Sequence, residues 1–237
     1  MKVNIVSCTF ILESEKNENI RKNDIKKIKV LVDKNNLLPK FKYQDNDMKE
    51  QIREKVFNIL NTDRFHLEQV FTFGLKNEID ILYLGVSSRE NIDLEDKYKL
   101  IDFKIENNNQ IIFGDNKYNY KTEEIEKNNN IEYIHSINVH NKTLEKELIY
   151  LITSFKKIRS NIDNSDIIFK FLGEVFTLED VRLVYELIKD TKTDKANFRK
   201  KIIKYCEEVN INDSLKSGYR PSKRYKFKPL KGDIWIW

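Results

Sequence analysis

The first two thirds of the chain contain short apolar runs rich in β-branched residues, which predict β-strands. These runs lie at residues 3–12, 25–32, 67–73, 79–86, 100–105 and 111–113. Asparagine-rich breaks at residues 107–109 and 128–130 separate these runs and predict loops. The pattern therefore indicates a β-rich first part.

Two segments of this first part have the spacing of one helix face instead. Residues 47–60 place five apolar side chains along one side of a helix. They are Met48, Ile52, Val56, Ile59 and Leu60. A second amphipathic helix is predicted at residues 143–158, and it leads to residues 160–163, where we expect a domain boundary. The prediction is thus an N-terminal domain of residues 1–160 and a C-terminal domain of residues 161–237.

The C-terminal part predicts three helices followed by a β-hairpin. A short helix is expected at residues 166–172, a second from the N-cap Thr177 to about residue 189, and a third from Thr193 or Asp194 to about residue 209. Strands at residues 210–217 and 222–229 bracket Gly218. The third helix turns four side chains inward: Phe198, Ile202, Tyr205 and Cys206. This is the element order of a winged helix-turn-helix, in which the third helix enters the major groove and the hairpin contacts the DNA backbone.

Composition narrows the class of protein. The 237 residues are 40% hydrophobic and 34% charged, and no apolar run approaches the about 18–20 residues that a membrane span needs. The N-terminal apolar stretch ends at Glu13 without a small-residue cleavage site, which disfavours a secretory signal. Cys8 and Cys206 are far apart in the sequence, which fits a reducing compartment. We therefore expect a cytoplasmic protein that does not contact membranes.

The positive charge is concentrated near the C-terminus. The formal net charge of the chain is +5, but residues 192–231 alone hold 13 basic and 4 acidic side chains. Charge segregated in this way is typical of a nucleic-acid-binding surface. The alternative interpretation is a solvated lysine-rich face.

Four motifs resemble those of the Nudix-related transcriptional regulators, the NrtR family. They are LEQVFTFG at residues 67–74, FTLEDVRLVYE at 176–186, TDKANFRKKI at 193–202 and GYRPSKRYKF at 218–227. They follow the order of the family and together touch most of the chain. The resemblance implies an α+β fold, namely a Nudix-like α/β/α sandwich followed by a C-terminal winged helix-turn-helix domain, assembled as a homodimer.

The resemblance also implies partners. In that family the Nudix domain mostly senses ligands of the ADP-ribose type, and the winged helix represses genes of NAD metabolism, while related branches control sugar metabolism. We therefore expect a double-stranded DNA operator as partner and a small nucleotide such as ADP-ribose as effector, with no required cofactor.

The segment that corresponds to the Nudix box departs from the pattern of active hydrolases. Hydrolysis of a diphosphate needs a divalent metal, usually Mg²⁺, held by clustered carboxylates. The family box reads G-x5-E-x7-R-E-U-x-E-E-x-G-U, with U aliphatic and an LPGG motif before it. Here Lys40 and Phe41 replace both glycines of LPGG, and alignment of the Arg-Glu pair at residues 53–54 puts Phe57 and Asn58 where the family has two glutamates.

One carboxylate of the box, that of Glu54, matches the family. Asp45, Asp47 and Glu50 are candidate contributors, and Glu50 and Glu54 share one helix face because they are four residues apart. The alternative is that both glutamates are ordinary solvated residues. Because Phe57 cannot ligate a metal, we predict no catalytic residues, no metal site and no enzyme activity.

Three functions remain open at this point. The first is a sequence-specific DNA-binding regulator with a catalytically degenerate Nudix-like sensor domain. The second is an active Nudix hydrolase of a nucleoside diphosphate derivative with an appended winged helix. The third is a dimer that binds DNA constitutively and senses nothing.

The DNA-binding hypothesis names candidate contact residues. Recognition helices present their N-terminal residues to base edges, which favours Lys195, Asn197 and Arg199 as base contacts. Arginine pairs with guanine and asparagine with adenine through two hydrogen bonds. Phosphate contacts are predicted from two helix lysines and three residues of the hairpin: Lys200, Lys204, Arg220, Lys223 and Arg224.

Overall fold

The computed structural model describes residues 1–16, 24–44, 47–74, 76–127, 130–210 and 222–229. The chain divides into two compact units, Met1–Lys157 and Ile158–Trp237. Among the described residues, no helix is long and apolar enough to cross a membrane.

Nine strands in the described part of the first unit form one sheet. They are β1 (Lys2–Glu15), β2 (Ile25–Asp33), β3 (Lys40–Lys42), β4 (His66–Gly74), β5 (Glu78–Ser88), β6 (Tyr98–Glu106), β7 (Gln110–Phe113), β8 (Asn116–Lys127) and β9 (Asn130–Ile137). The order across the sheet is β4-β5-β1-β2-β6-β7-β8-β9, and β3 pairs with β1. Strands β1 and β5 run parallel, and the other neighbouring strands run antiparallel.

Two helices, α1 (Met48–Leu60) and α2 (Lys142–Asn161), pack on opposite faces of this sheet. The apolar side of α1 packs with Ile5 and Ile11 of β1. On the other face, Phe155 of α2 contacts Phe10 of β1 and Phe103 of β6, with ring centroids 5.5 and 5.1 Å apart. Alternate residues of one strand thus face the two helices, as strand geometry requires. The result is the α/β/α arrangement that the family resemblance implies.

All six predicted strands and both predicted helices of this unit are present, whereas β3, β8 and β9 were not predicted. Strand β8 has the sequence NKYNYKTEEIEK, in which polar residues dominate both faces. It is ordered by backbone pairing with β7 and β9 and by Tyr120, which is 2% exposed. Asn130, which was predicted to lie in a loop, begins β9, and residues 128–129 lie outside the described residues.

The second unit contains α3 (Ile167–Lys170), α4 (Leu178–Lys189) and α5 (Lys195–Ile202), then a 3₁₀ turn at Ile203–Tyr205. Strands β10 (Cys206–Val209) and β11 (Arg224–Phe227) follow and pair antiparallel. Phe176, just before α4, exchanges two backbone hydrogen bonds with Tyr225 of β11, of 3.0 and 2.8 Å. The hairpin is therefore attached to the helices of its own unit.

The end of the third helix was predicted wrongly. The apolar spacing of Phe198, Ile202 and Cys206 predicted a helix to about residue 209, but α5 ends at Ile202 and Cys206 adopts the extended φ of −125° and ψ of 136°. Residues 206–209 instead form β10, because their backbone groups pair with β11. Of the hairpin strand predicted at residues 210–217, all but the first residue lies outside the described residues, as does Gly218.

Candidate nucleic-acid interface

Helix α4 begins at a capping box. The Thr177 hydroxyl accepts a hydrogen bond of 3.1 Å from the backbone N–H of Asp180, and the Asp180 carboxylate accepts one of 2.9 Å from the N–H of Thr177. This reciprocal pair satisfies two N–H groups that a helix start leaves without partners. Val181, Val184 and Ile188 are fully buried on its inner face. The sequence predicted Thr177 as the N-cap of this helix.

The turn between α4 and α5 is organised by a group of charged and polar residues that we call the turn cluster: Glu179, Arg182, Glu186, Lys192 and Thr193. The Glu186 carboxylate accepts hydrogen bonds of 2.8 and 2.9 Å from the backbone N–H and the hydroxyl of Thr193. It also forms ion pairs with Arg182 and with Lys192. The Arg182 guanidinium donates two further hydrogen bonds, of 2.9 and 2.6 Å, to Glu179.

Glu186 is 5% exposed and Arg182 is 8% exposed, so these charges are largely removed from water. Burial by itself would raise the pKa of Glu186, but the hydrogen bonds from Thr193 and the charges of Lys192 and Arg182 hold that pKa below its ordinary value. A buried carboxylate that stays ionised in this way needs all its partners in place. The turn cluster therefore fixes where α5 begins relative to α4.

Sequence reasoning missed the turn cluster, although a signal for it exists. Glu179, Arg182 and Glu186 are spaced by three and four residues, which puts all three on one face of a helix. That face lies beside the apolar positions of α4, so partial burial of the charges could have been expected.

Helix α5 starts at the N-cap Asp194, whose carboxylate accepts a hydrogen bond of 2.8 Å from the backbone N–H of Asn197. Phe198 and Ile202 are its buried residues. The Phe198 ring packs against that of Tyr185 on α4, with centroids 5.3 Å apart. The remaining residues of α5 are exposed, so the helix presents a basic outer surface.

Of the three predicted base-contacting residues, Lys195 and Arg199 are four residues apart and share one flank of α5, whereas Asn197 lies on the other. The Lys195 ammonium is 3.4 Å from a carboxylate oxygen of Glu179. Asn197 lines a groove together with Lys201, and Tyr185 lines the same groove. Arg199 is exposed and lies on the other flank of the helix from Asn197, as the turn of about 100° per residue requires.

Two residues that line the groove are hydrogen-bonded to each other. The Tyr185 hydroxyl donates a hydrogen bond of 2.9 Å to Asp163, and both residues line the groove with Thr193. Burial, together with this hydrogen bond, raises the pKa of Tyr185 to about 12. Tyr185 therefore stays protonated at neutral pH and keeps donating its hydrogen bond.

The predicted phosphate contacts on α5 and the following turn are both exposed. Within the described part of the chain, Lys200 forms no ion pair. The Lys204 ammonium lies over the ring of Tyr205, 4.8 Å from its centroid.

On the hairpin, Lys223 is exposed and its ammonium is 2.7 Å from the carboxylate of Glu208 on the paired strand. Arg224 is half-buried at the end of the ladder, opposite Val209. Arg220 lies outside the described residues. Phe227 of β11 packs the hairpin against the helices of its unit, because its ring stacks on that of Phe169 with centroids 4.5 Å apart.

In the first unit, α1 carries the remnant of the Nudix box. Asp47 acts as the N-cap, accepting a hydrogen bond of 2.9 Å from the backbone N–H of Glu50. Glu50 and Glu54 are both exposed, one turn apart. Phe57 is 44% exposed and lies on the next turn, where the box would supply a further carboxylate.

Asn58 is also exposed and Asp45 lies outside the described residues. Among the described residues, no group of three or more His, Cys, Asp or Glu side chains could hold a metal ion. Of the positions where the box supplies carboxylates, Glu54 carries one, and Phe57 and Asn58 do not.

Lys40, which stands where the family has a glycine, belongs to a buried polar network. Its ammonium is 3.0 Å from Asp80, whose side chain is fully buried. Asp80 also accepts hydrogen bonds from Asn4 and Tyr150, each of 2.7 Å, and it is 2.7 Å from the ammonium of Lys146. The network joins β1, β3, β5 and α2.

The charge state of Asp80 follows from these contacts. Burial alone would raise the pKa of Asp80, but the hydrogen bonds from Lys146, Tyr150, Asn4 and Lys40 hold it well below its ordinary value. Sequence reasoning missed this network because its members lie far apart in the chain. The signal was an aspartate inside the apolar run at residues 79–86.

Comparison with known proteins identifies relatives of the chain. Residues 168–227 match the family model of the NrtR DNA-binding winged helix domain. A search of curated proteins found no match. Several solved structures are similar to the chain over almost its whole length.

A MutT/nudix family protein from Enterococcus faecalis has a TM-score of 0.67 at 16% identity, covering 97% of this chain and 89% of that one. Shewanella oneidensis NrtR has a TM-score of 0.64 at 13% identity, covering 100% of this chain and 98% of that one. The same NrtR in complex with a 27mer DNA also has a TM-score of 0.64 at 13% identity, covering 95% and 93%. The C-terminal domain is thus a winged helix domain of the NrtR type, carried by a chain with the fold of these NrtR and Nudix family structures.

Proposed function

We propose that this protein is a DNA-binding transcriptional regulator that acts in the cytoplasm on a double-stranded operator. The observation that carries the proposal is the exposed basic helix α5, held at the turn cluster inside a segment that matches the NrtR DNA-binding winged helix domain. The S. oneidensis NrtR in the comparison was solved with DNA, which supports a DNA partner for the same fold here.

The charge of α5 suits this role. Its eight residues contain Lys195, Arg199, Lys200 and Lys201 and no acidic residue. Cations placed along a duplex displace condensed counterions from the phosphates, which gives affinity that falls as salt rises. The helix therefore supplies both attraction to DNA and side chains that reach base edges.

A binding titration on the full chain tests the proposal. A preferred sequence is first selected from random double-stranded DNA, and its affinity is measured by fluorescence anisotropy at several salt concentrations. We expect the double variant Lys200→Ala/Lys201→Ala to reduce affinity at least tenfold and to make the salt slope shallower, because it removes two of the four cations of α5. The matched control is Lys34→Ala/Lys49→Ala, which removes two exposed lysines of the first unit.

Equal affinity of the α5 variant, the control and the wild type would contradict the proposal. So would failure of the selection to enrich any sequence. Both results would leave the winged helix as a module for some partner other than DNA.

We further propose that the Nudix-like unit binds a ligand and does not hydrolyse it. Phe57 and Asn58 lack the carboxylates that the box needs, and Lys40 fills a glycine position while engaged with Asp80. We expect no Mg²⁺-dependent release of AMP from ADP-ribose by the purified protein. Turnover of about 1 per second, within the ordinary range of enzymes, would support the hydrolase alternative instead.

ADP-ribose is the effector that we propose, because the family resemblance implies it. If it acts through the winged helix, ligand and DNA must change each other's affinity by the same factor. Calorimetry with ADP-ribose and DNA titrations with and without it measure the two factors. Absence of ADP-ribose binding at millimolar concentration would favour a protein that binds DNA constitutively.

A homodimer is the assembly that we propose. Winged and other helix-turn-helix regulators commonly bind two half-sites with the two-fold symmetry of a dimer. We propose that β4, the strand at one end of the sheet, contributes to the dimer contact, because its Phe71 is 51% exposed. Light scattering should give twice the mass of one 28.5 kDa chain, and a monomer mass at micromolar concentration would contradict this.

A further inference from the structure

The burial of α5 defines which of its residues point away from the protein. Phe198 and Ile202 are 6% and 0% exposed and mark the inward side. At about 100° per residue, Lys200 lies opposite the middle of that side. Ala196 and Ile203, the first residue of the 3₁₀ turn that follows α5, lie within about 60° of Lys200, as does Asn197 on the side of the groove beside Tyr185. We call Ala196, Lys200 and Ile203 the outward stripe.

Two neighbouring cations make other contacts, and a third, Arg199, is exposed on the flank of the helix, about 100° from Lys200. Lys195 is directed to Glu179, and Lys204 lies over the ring of Tyr205. Asn197 and Lys201 border the groove beside Tyr185. The outward stripe is therefore the part of α5 that a duplex would meet first.

An exposed isoleucine stands in this stripe. Ile203 is 36% exposed, and in the described part of the second unit it is the one large apolar side chain that is exposed. Ala196 is exposed one turn before Lys200, and Ile203 follows Lys200 by three residues. Two apolar groups thus flank a cation, and the other exposed side chains of α5 are polar or charged.

The major groove offers one apolar group to such side chains. Thymine carries a 5-methyl group there, while the other bases present hydrogen-bond donors and acceptors. Lysine between two apolar groups suits a guanine, whose O6 and N7 accept hydrogen bonds. The chemistry of the stripe matches a short sequence in which thymines lie beside a guanine.

Resting on the DNA-binding function proposed above, we propose that the outward stripe is the base-reading edge of α5, and that Ala196 and Ile203 select thymine through its 5-methyl group. Lys200 then contacts a base. The sequence prediction differed, since it gave the base contacts to Lys195, Asn197 and Arg199 and placed Lys200 on a phosphate.

Removal of single methyl groups from the DNA tests this proposal. The selected duplex is remade with deoxyuridine in place of each thymidine in turn, and affinities are measured for the full-length wild type. We expect at least two positions where uracil lowers affinity by about fourfold, the factor for one buried methyl group. Ile203→Ala should abolish the loss at one of these positions and Ile203→Val should retain it, while Ala196→Gly should abolish the loss at the other.

Ile25→Ala, at an isoleucine of the first unit that is 48% exposed, is the matched control and should keep both losses. Equal wild-type affinity for thymine and uracil at every position would overturn the thymine inference while leaving DNA binding intact. Losses that persist in Ile203→Ala and Ala196→Gly would also overturn it. If no duplex is enriched in the selection, the proposed function itself fails.

Discussion

The carboxylate of Glu186, near the end of α4, accepts hydrogen bonds from both the backbone N–H and the hydroxyl of Thr193, the residue before the N-cap of α5. Glu186 thereby connects the two helices of the helix-turn-helix across the turn that separates them. Because the same carboxylate pairs with Arg182 and Lys192, its loss would leave several groups unsatisfied at once.

Replacement of Glu186 is therefore expected to loosen the start of α5. Glu186→Ala should lower the local free energy of opening of α4 and α5 by about 2–4 kcal/mol, because it leaves the Arg182 guanidinium buried without one of its counter-charges. Hydrogen exchange of peptides that cover residues 178–202 measures this energy. Glu207→Ala, at an exposed glutamate of β10, is the control and should change it by less than about 0.5 kcal/mol. Unchanged exchange in Glu186→Ala would show that the turn cluster is not what orders the turn.

The ion pair between Lys223 and Glu208 predicts opposite effects of its two members on DNA affinity. Lys223→Ala should weaken binding to all sequences and make the salt slope shallower by about one, as for one lost phosphate contact. Glu208→Gln should strengthen binding at low salt, since it releases the ammonium and removes a negative charge beside the duplex. Anisotropy titrations at two salt concentrations compare them. Parallel losses in both variants would argue that the pair supports the hairpin and does not touch phosphate.

A close approach of β1 and β5 makes Gly85 sensitive to substitution. A Cβ at Gly85 would lie 2.4 Å from Oγ1 of Thr9, its partner in the parallel register. Gly85→Ala should cost about 1–3 kcal/mol through overpacking. Thr9→Ala removes Oγ1 and Cγ2, two of the three atoms that the new Cβ would meet, and also the buried hydrogen bond of 2.8 Å with Ser7, so the loss in the double variant should be smaller than the sum of the two single losses. Thermal unfolding of the three variants measures this coupling, and strictly additive losses would contradict the steric explanation.

The elements that the sequence predicted are those whose own residues specify them. The spacing of Ile52, Val56 and Ile59 specifies the helix at residues 48–60. Thr177 and Asp180, three residues apart, specify the start of α4. Strand β8 could not be predicted in this way, because its backbone is held by its neighbours. The predicted end of α5 was wrong for the same reason, because residues 206–209 pair with β11 although Cys206 has the spacing of the helix.

The sequence predicted which helix forms the candidate site, but it did not predict what each side chain of that helix contacts. The basic motif at residues 193–202 identified α5. What each residue of α5 faces depends on partners elsewhere: Lys195 on Glu179, Asn197 on the groove beside Tyr185. Such pairings between separate elements cannot be obtained from spacing within one helix.

The buried Asp80 predicts a dependence of stability on pH. The contacts with Lys146, Tyr150, Asn4 and Lys40 lower the pKa of Asp80 in the folded protein. An aspartate of the unfolded chain has a pKa of about 3.9. The ionised carboxylate therefore contributes its full stabilisation above about pH 4 and loses it as the pH falls towards the folded pKa. Asp80→Asn removes one counter-charge from Lys40 and Lys146, which keep Glu78, and leaves buried hydrogen-bond donors unsatisfied, so it should cost about 1–3 kcal/mol near pH 6. The difference in unfolding free energy between Asp80→Asn and the wild type should narrow steadily when urea unfolding is repeated at pH 4 and pH 3.

The control is Asp63→Asn, at an exposed aspartate, which should differ little from the wild type at each pH. A difference for Asp80→Asn that stays constant from pH 6 to pH 3 would show that the contacts of Asp80 do not lower its pKa in the folded protein.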